Sequence, residues 1–364
     1  MNVGIDTPVL CKEGVDRDGV RPDAILSFSS LTIIGLASSE GSKVPVTLVR
    51  SVSFPAHRYT NGESQCTELD SDGWESLPLP VGKPHLEIKL GRCLGTGRIG
   101  SVYTARVLRV LDRPGGTPIL NPPIDVSTKL VVKVVKPTNC RSLARETWFY
   151  ERLSEAEGYQ GAVVPLCYGF YTTSTASIES PSSRPVRINA WIDKKGKHVP
   201  LDLSKSREFG DGLPDEVLYN EDYYVDQRTC RKDSPWCNWR PDPSNPLLGV
   251  LVLERLGKTY SREDFDNAPR SRKDLADLID DLSSASIVHD DFKFNNVVRS
   301  RTQVVCQRHG YAHAWRVIDF DRSSKWGKTV QEDNTILPRF YREQFATKDP
   351  IFFLGTPEGY DECL

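Results

Sequence analysis

Four polar side chains whose types suit a cation and a phosphate group lie close together late in the sequence. Asp291, Lys293 and Asn296 occur within residues 287–298, and Asp319 follows a short apolar run. Carboxylate and amide oxygens are the hard ligands that Mg²⁺ prefers, and an ammonium can offset charge on a phosphoryl group. Phosphoryl transfer depends mainly on positioning and charge neutralisation. The residue types therefore indicate a phosphoryl-transfer site, although a solvated Asp/Asn turn is the plainer interpretation of the loop alone.

A glycine-rich turn upstream indicates a backbone that can approach phosphates. Residues 94–102 fit the pattern G-x-G-x-x-G-x-V. Without a Cβ, glycines let N–H groups face a phosphate closely. A dinucleotide fingerprint needs a helix directly after the turn, whereas residues 101–108 have the character of a strand, which predicts a strand–turn–strand hairpin. The candidate nucleotide-binding residues here are Gly95, Thr96, Gly97, Arg98, Gly100 and Val102.

A buried strand with one lysine is predicted at residues 130–135. Lys133 on such a strand needs a partner, because an unpaired ammonium is costly to desolvate. Lys136 is the alternative, but it adjoins Pro137, where the strand should end. A lysine that snorkels at the strand edge is the plainer interpretation.

Residues 141–153 have the pattern of a helix, with Glu146 on its apolar face. A glutamate on that face requires a cation, and Lys133 is the available one. Glu151 is the alternative, but it points elsewhere on the helix. A surface helix with an unpaired glutamate remains the plainer interpretation.

Together these motifs resemble the protein kinase superfamily, and within it the divergent kinase-like proteins of fungi. The segment that begins at His289 fits H-x-D-x-K-x-x-N, and a D-F-D triplet stands where D-F-G is usual. The resemblance implies that Asn296 and Asp319 hold Mg²⁺. It implies catalytic roles for Asp291, Lys293, Lys133 and Glu146.

The same resemblance implies an ATP site, so the expected cofactors are ATP and Mg²⁺. Lys133 would hold the α- and β-phosphates, and Val102 would cover the adenine. Residues 248–257 are typical of a strand followed by a hinge, where Glu254 and Leu256 would bind adenine. A helix that supports the catalytic loop is predicted from residue 271, with Leu275, Leu278, Ile279 and Leu282 at helical spacing.

The expected fold is α+β and bilobal, protein-kinase-like, with an antiparallel-sheet N-lobe that carries insertions and a reduced, mainly helical C-lobe. The expected domains are an N-terminal extension with a linker (1–84), the N-lobe (85–256, with an insertion at about 173–245) and the reduced C-lobe (257–364). Only 45 residues follow Asp319. So short a lobe resembles RIO-type atypical kinases or small-molecule phosphotransferases more than regulated protein kinases.

Three functions fit this pattern. The first is an ATP- and Mg²⁺-dependent phosphotransferase, Ser/Thr protein kinase-like, that acts on a hydroxyl of a protein, and Lys293 favours it. The second is a small-molecule kinase, which the short C-lobe favours. The third is an ATP-binding pseudokinase or scaffold, which is favoured because so short a C-lobe lacks the platform on which kinases bind peptide substrates. Asp290 stands where regulated kinases carry Arg, so activation by a phosphorylated loop is not expected. Asp321 replaces a glycine and so limits backbone freedom.

Composition excludes several other classes. The chain has 364 residues, 38% hydrophobic, and a net charge of −2, so no nucleic-acid or anionic-membrane partner is expected. The most apolar stretch near the N-terminus, residues 24–37, is too short to cross a bilayer. We expect a soluble intracellular protein, cytoplasmic or nuclear. Nine cysteines without a C-x-x-C pair indicate reduced thiols rather than disulfides or a zinc site.

Overall fold

Pairing between strands organises the part of the chain that the structure describes. This computed structural model describes residues 23–60, 74–154, 158–179, 186–192, 213, 224–225, 231–266 and 269–326. The strands are β1 (Ser30–Ser39), β2 (Ser42–Arg50), β3 (Arg58–Thr60), β4 (His85–Thr96), β5 (Gly100–Leu111), β6 (Lys129–Val135), β7 (Cys167–Ser174), β8 (Arg187–Ile188), β9 (Tyr224–Val225), β10 (Leu247–Glu254), β11 (Ile287–Val288), β12 (Val297–Arg299), β13 (Trp315–Val317) and β14 (Ser324–Trp326). The α-helices within these ranges are α1 (Cys140–Arg152), α2 (Arg262–Asp266) and α3 (Pro269–Ser284).

Seven of the described strands close into a barrel. Their hydrogen-bonded order is β1-β2-β7-β10-β6-β5-β4, and β4 pairs again with β1. Neighbours run antiparallel except β1 and β4, which are parallel. Closure leaves no free edge within the ring, and an unpaired strand edge exposes backbone N–H and C=O groups.

Side chains that alternate between the two faces of the strands form two separate buried clusters. On β6, Leu130, Val132 and Val134 belong to the barrel interior, a buried cluster with members from all seven strands. Val135 lies on the opposite face and packs in a second cluster with α1. Since residues two apart share a face, Lys133 lies on the α1 side of β6.

The predicted bilobal kinase-like fold, with its mainly helical C-lobe, is wrong. The structure has a closed seven-stranded barrel and few helices. The physical reason lies in β1 and β2, which sequence analysis placed in an N-terminal extension. Their apolar residues Leu31, Ile33, Val46 and Leu48 are fully buried in the barrel interior. These two strands pair with β4 and β7, and so they join the edges of what would otherwise be an open sheet.

The domain boundaries at residues 84 and 256 stay predictions, although the barrel draws strands from both sides of residue 84. Much of the predicted insertion at 173–245, and all of 327–364, lies outside the described residues.

The two longer described helices confirm the predicted helical patterns. α1 covers residues 140–152, against 141–153 expected, and α3 buries Leu275, Leu278 and Leu282 on one face. Within the described ranges, no helix has the length and apolar character needed to cross a membrane.

His85 joins the two parallel strands that close the barrel. It is fully buried, and its ring nitrogens lie 2.7 Å from Ser30 Oγ and 2.9 Å from Thr32 Oγ1. Burial lowers the pKa of His85, although the neighbouring Glu87 raises it. The ring is therefore neutral in the folded state at neutral pH.

We expect His85→Gln to reduce the loss of stability on acidification. A folded-state pKa below the unfolded one means that the unfolded chain binds more protons as pH falls through about 6.5. The free energy of unfolding should therefore decrease between pH 7.5 and 5.5, and decrease less in the variant, which cannot be protonated there. Urea unfolding at both pH values measures this. Equal losses in the two proteins would contradict a neutral His85 at the barrel closure.

Candidate active site

The ammonium of Lys133 connects the barrel to the segment that follows β13. Its Nζ lies 2.6 Å from Glu146 Oε2 and 2.5 Å from Asp319 Oδ1. The Lys133 side chain is 11% exposed and that of Glu146 is 1% exposed. Burial disfavours the charge, but the carboxylates of Asp319, Glu146 and Asp321 outweigh it and raise the pKa of Lys133. Lys133 therefore stays charged.

The two alternatives from sequence have other partners. Glu151 Oε2 accepts hydrogen bonds from Ser53 Oγ at 2.6 Å and from Leu77 N at 3.1 Å. Lys136 Nζ donates to the Arg98 carbonyl at 2.9 Å. The helix face of α1 thus directs Glu146, and not Glu151, towards β6.

Glu146 is the most deeply buried acid of this group. Burial raises its pKa to about 8, although Lys133 lowers it, and the nearby Asp319 and Asp321 carboxylates raise it further. Its second oxygen, Oε1, has no hydrogen-bond partner among the described residues. Three carboxyl groups thus share one ammonium, and a bound divalent cation would favour their ionised forms.

We expect Lys133→Met to destabilise the fold by about 3–5 kcal/mol at pH 8, because removal of one partner leaves a buried charge uncompensated. At pH 5 the loss should shrink, since Glu146 is then protonated. Guanidinium unfolding of the single variant, Glu146→Leu and the double variant gives the coupling between the two side chains. If the two single losses simply add in the double variant, Lys133 and Glu146 do not stabilise each other.

A second group surrounds Asp291. Lys293 Nζ lies 2.8 Å from Asp291 Oδ2. Asn296 Nδ2 donates to the Asp291 carbonyl at 2.9 Å and to its Oδ2 at 3.0 Å. Both contacts follow from the loop after β11, because the 3-10 helix Phe294–Asn296 turns the chain back on itself. The structure thus brings together the three residues that the spacing singled out in this loop.

Backbone contacts connect the two groups. Ile318 N donates to the Asn296 carbonyl at 2.9 Å, and His289 Nε2 lies 2.9 Å from the Ile318 carbonyl. Burial lowers the pKa of His289, so the neutral ring donates this hydrogen bond. The residue before Asp319 is therefore tied to the loop that carries Asp291.

Carboxylate oxygens of Asp291, Asp319 and Asp321 lie within 4.8 Å of one another. Burial and repulsion from Asp319 raise the pKa of Asp321. Burial opposes ionisation of Asp319 as well, but Lys133 outweighs it and lowers the pKa. Asp319 has a left-handed backbone, with φ 69° and ψ 68°, a strained conformation that is typical of functional sites. The donor set suits a hard divalent cation.

Sequence analysis missed two contributors to this arrangement. It considered Asp321 only for backbone freedom, yet its carboxylate joins the acidic group and lies 3.5 Å from Arg98 Nη2. The available signal was a second carboxylate two residues after Asp319. Arg145 of α1 is fully buried and donates to the Asp321 carbonyl at 3.2 Å and the Ser323 carbonyl at 2.5 Å. Only the folded chain shows that it supports this segment.

The three glycines of the predicted phosphate turn differ in whether packing requires them. A Cβ on Gly100 would lie 2.3 Å from the Val134 carbonyl, so close packing on β6 requires glycine there. A Cβ on Gly95 would meet nothing within 4 Å, and on Gly97 only the Gly100 carbonyl at 3.9 Å. Packing therefore does not require glycine at 95 or 97, and the space beside the turn is open.

The other residues that were predicted to contact the nucleotide lie in different surroundings. Val102 lies directly opposite Lys133 in the β5–β6 register, so the two share a face. Thr96 Oγ1 lies 3.1 Å from Ser101 Oγ, within the hairpin. Leu256 is buried beyond the end of β10.

Glu254 has structural partners at the predicted hinge. Its N–H donates to the Leu166 carbonyl at 2.8 Å, and its Oε2 accepts from Leu166 N at 3.2 Å. Arg255 N donates to the Lys129 carbonyl at 3.0 Å. Adenine binding by the N–H of Glu254 would require one of these hydrogen bonds to open.

Comparisons with known proteins add little to this geometry. No protein-family model matches the chain, and no curated protein matches it. Among solved structures, it resembles the BubR1 kinase domain with a TM-score of 0.31 and 12% sequence identity. The superposition covers 65% of this chain and 47% of that one, about half its length. A likeness this weak carries no argument about fold or activity.

Proposed function

We propose that this chain is a phosphotransferase that uses ATP and Mg²⁺ and transfers the γ-phosphoryl group to a hydroxyl. One observation carries the proposal: the carboxylates of Asp291, Asp319 and Asp321 converge between Lys133, which contacts Asp319, and Arg98 of the glycine turn, which lies 3.5 Å from Asp321. The support comes from these local contacts and not from the overall fold.

The residues fit a nucleotide with a divalent cation. Convergence of the Asp291, Asp319 and Asp321 carboxylate oxygens beside Lys133 favours a cation. Asp319, Asp321 and the Asn296 side-chain oxygen would hold it, since all three offer hard ligands. Open space beside Gly95 and Gly97 suits phosphates. Lys133 would contact those phosphates as a fixed positive charge.

The residues around the hydroxyl would position it and accept its proton. The Mg²⁺–ATP pair supplies the phosphoryl group and neutralises part of its charge. Asp291 would orient the substrate hydroxyl and accept its proton through a carboxylate oxygen. Asn296 holds Asp291 in place with two hydrogen bonds, one to its carboxylate and one to its backbone carbonyl. Lys293, 2.8 Å from the same carboxylate, would stabilise negative charge that develops near it.

A nucleotide-binding protein without transfer activity is the second candidate. The 2.5 Å contact between Asp319 and Lys133 favours it, because a metal ligand held by a lysine has less charge to offer a cation. Between hydroxyl substrates, Lys293 favours a Ser or Thr side chain over a small molecule.

We expect ATP with Mg²⁺ to raise the melting temperature of the wild type by several degrees. Binding at one hundred times Kd stabilises a native state by about 2.7 kcal/mol. Asp319→Asn should lose the Mg²⁺-dependent part of this rise. Asparagine is the suitable replacement, since it tolerates the left-handed backbone of this position. Thermal unfolding with ATP, with and without Mg²⁺, measures both effects.

Asp266→Asn is the matched control, because this exposed carboxylate of α2 pairs with Arg262 far along the chain from the proposed ligands. It should keep the full Mg²⁺-dependent rise. No rise in the wild type under any nucleotide condition would reject both candidate functions.

We expect Asp291→Asn to lower turnover by at least about 100-fold, the usual contribution of a general base, while the melting response to Mg²⁺–ATP is kept. Phosphate release from ATP, and label transfer to a Ser- and Thr-containing peptide library, measure turnover. Wild-type rates in the variant would exclude Asp291 as the base. Nucleotide binding without any wild-type turnover would favour the second candidate.

A further inference from the structure

We propose that Asp281, Cys306, His309 and His313 bind one structural zinc ion. Each offers a ligand atom, and these atoms all lie within 4.8 Å of one another. Three of the four residues are buried. A thiolate, two imidazoles and a carboxylate form a ligand set of the kind that zinc takes in proteins.

Three separations between the proposed ligand atoms are close to the edges of a zinc tetrahedron. Bonds of about 2.3 Å to sulfur and about 2.0–2.1 Å to nitrogen or oxygen give edges of about 3.6 Å with sulfur and about 3.3 Å without it. Cys306 Sγ lies 3.6 Å from His309 Nδ1 and 3.4 Å from Asp281 Oδ2. His313 Nε2 lies 3.1 Å from Asp281 Oδ2. His309 Nδ1 lies 3.3 Å from the other carboxylate oxygen, Asp281 Oδ1, which is not itself a proposed ligand atom.

Each histidine directs its other nitrogen to a carboxylate. His313 Nδ1 lies 2.5 Å from Asp274 Oδ1, and His309 Nε2 lies 3.6 Å from Asp280 Oδ2. Histidines that bind metals almost always donate from the second nitrogen, which orients the ring and increases its basicity. His313 has this hydrogen bond, whereas His309 Nε2 faces Asp280 from beyond hydrogen-bond distance. Asp274 is itself held by the backbone N–H of Ala314 at 2.8 Å.

Charge balance favours the metal as well. Zn²⁺ with a Cys306 thiolate, an Asp281 carboxylate and two neutral imidazoles has no net charge. Arg308 Nε donates to Asp281 Oδ1 at 3.0 Å, which leaves Oδ2 for the ion.

A protonated His313 between two acids is the metal-free alternative. Hydrogen bonds to Asp274 and Asp281 raise the pKa of His313 to about 10, although burial lowers it. That alternative explains His313 alone. In it, Cys306 and His309 would contact Asp281 as separate donors to a buried carboxylate, whereas one ion would account for all four side chains together.

The ion would fix the elements that carry the candidate active site. Asp281 belongs to α3, which leads into β11 and the loop of Asp291. The other three ligands lie directly before β13, which leads to Asp319. Zinc would therefore join the segment that leads to Asp291 to the segment that leads to Asp319, without binding either of these two residues.

The sequence contains a signal for this site, Cys306-x₂-His309-x₃-His313. The prediction of reduced thiols without a zinc site was based on the absence of a C-x-x-C pair, and this motif has only one cysteine. The fourth ligand lies 25 residues before Cys306 and is recognisable only after folding.

The test begins with zinc content. The full chain, purified without chelators, should contain about one zinc per chain by mass spectrometry. Replacement by Co²⁺ should give the absorption of a tetrahedral site with a thiolate-to-metal band. Removal of the metal with a chelator should lower the melting temperature, and added Zn²⁺ should restore it.

Three variants locate the ion. Cys306→Ser should lose the thiolate band, and His309→Ala should lower zinc content, whereas the matched control Cys237→Ser should change neither. Asp274→Asn should weaken zinc binding about 10–100-fold, the usual effect of a residue that orients a ligand, as measured by competition with a chromophoric chelator.

Wild-type protein without zinc above background, and without a thiolate band after Co²⁺ addition, overturns the proposal even if the variants fail to fold. Equal zinc content in Cys306→Ser, His309→Ala and wild type overturns it too, because the metal then lies elsewhere. Loss of metal in the site variants, with Cys237→Ser unaffected, supports it. The outcome does not depend on whether the chain transfers phosphate.

Discussion

The buried ammonium of Lys133 is the interaction on which the rest of the site depends. It lies on the outer face of the barrel and contacts acids from a helix and from the segment after β13. A buried ammonium is tolerated only with partners, so the three elements are held in one arrangement. Positive charge at this point also keeps Asp319 ionised despite its burial. The contacts of Lys133 therefore both hold the three elements together and keep Asp319 ionised.

The barrel provides the rigid surface for that contact. Side chains on β6 alternate between the barrel interior and the α1 side, so the position of Lys133 follows from the pleat of the strand. Closure through β1 pairs the outer edge of β4, so that β4, β5 and β6 each have hydrogen-bonded neighbours on both sides. The glycine turn between β4 and β5 packs on β6 through Gly100, which places open backbone beside Lys133.

Two clusters of ionisable groups differ in their balance of charge. Around Lys133, the carboxyl groups outnumber the cations, and burial together with repulsion from neighbouring carboxylates raises the pKa values of Glu146 and Asp321. Under the proposed function, a divalent cation that binds together with ATP would balance this charge. The group around Asp281 is instead complete with one divalent ion, since all four proposed ligands come from the protein. A closed set of ligands is typical of structural zinc.

The sequence by itself determined the local elements and the spacing within them. A short apolar run predicted the strand of Lys133, and helical periodicity predicted α1 with Glu146 inward. The short loop after β11 limited how far Asp291 and Asn296 could separate. Tertiary structure decided the rest, because it depends on contacts between distant segments. Pairing of β1 with β4 turned an expected bilobal fold into a barrel. Convergence of Asp321 with Asp291, and of Asp281 with Cys306, likewise arises only when separate elements pack together.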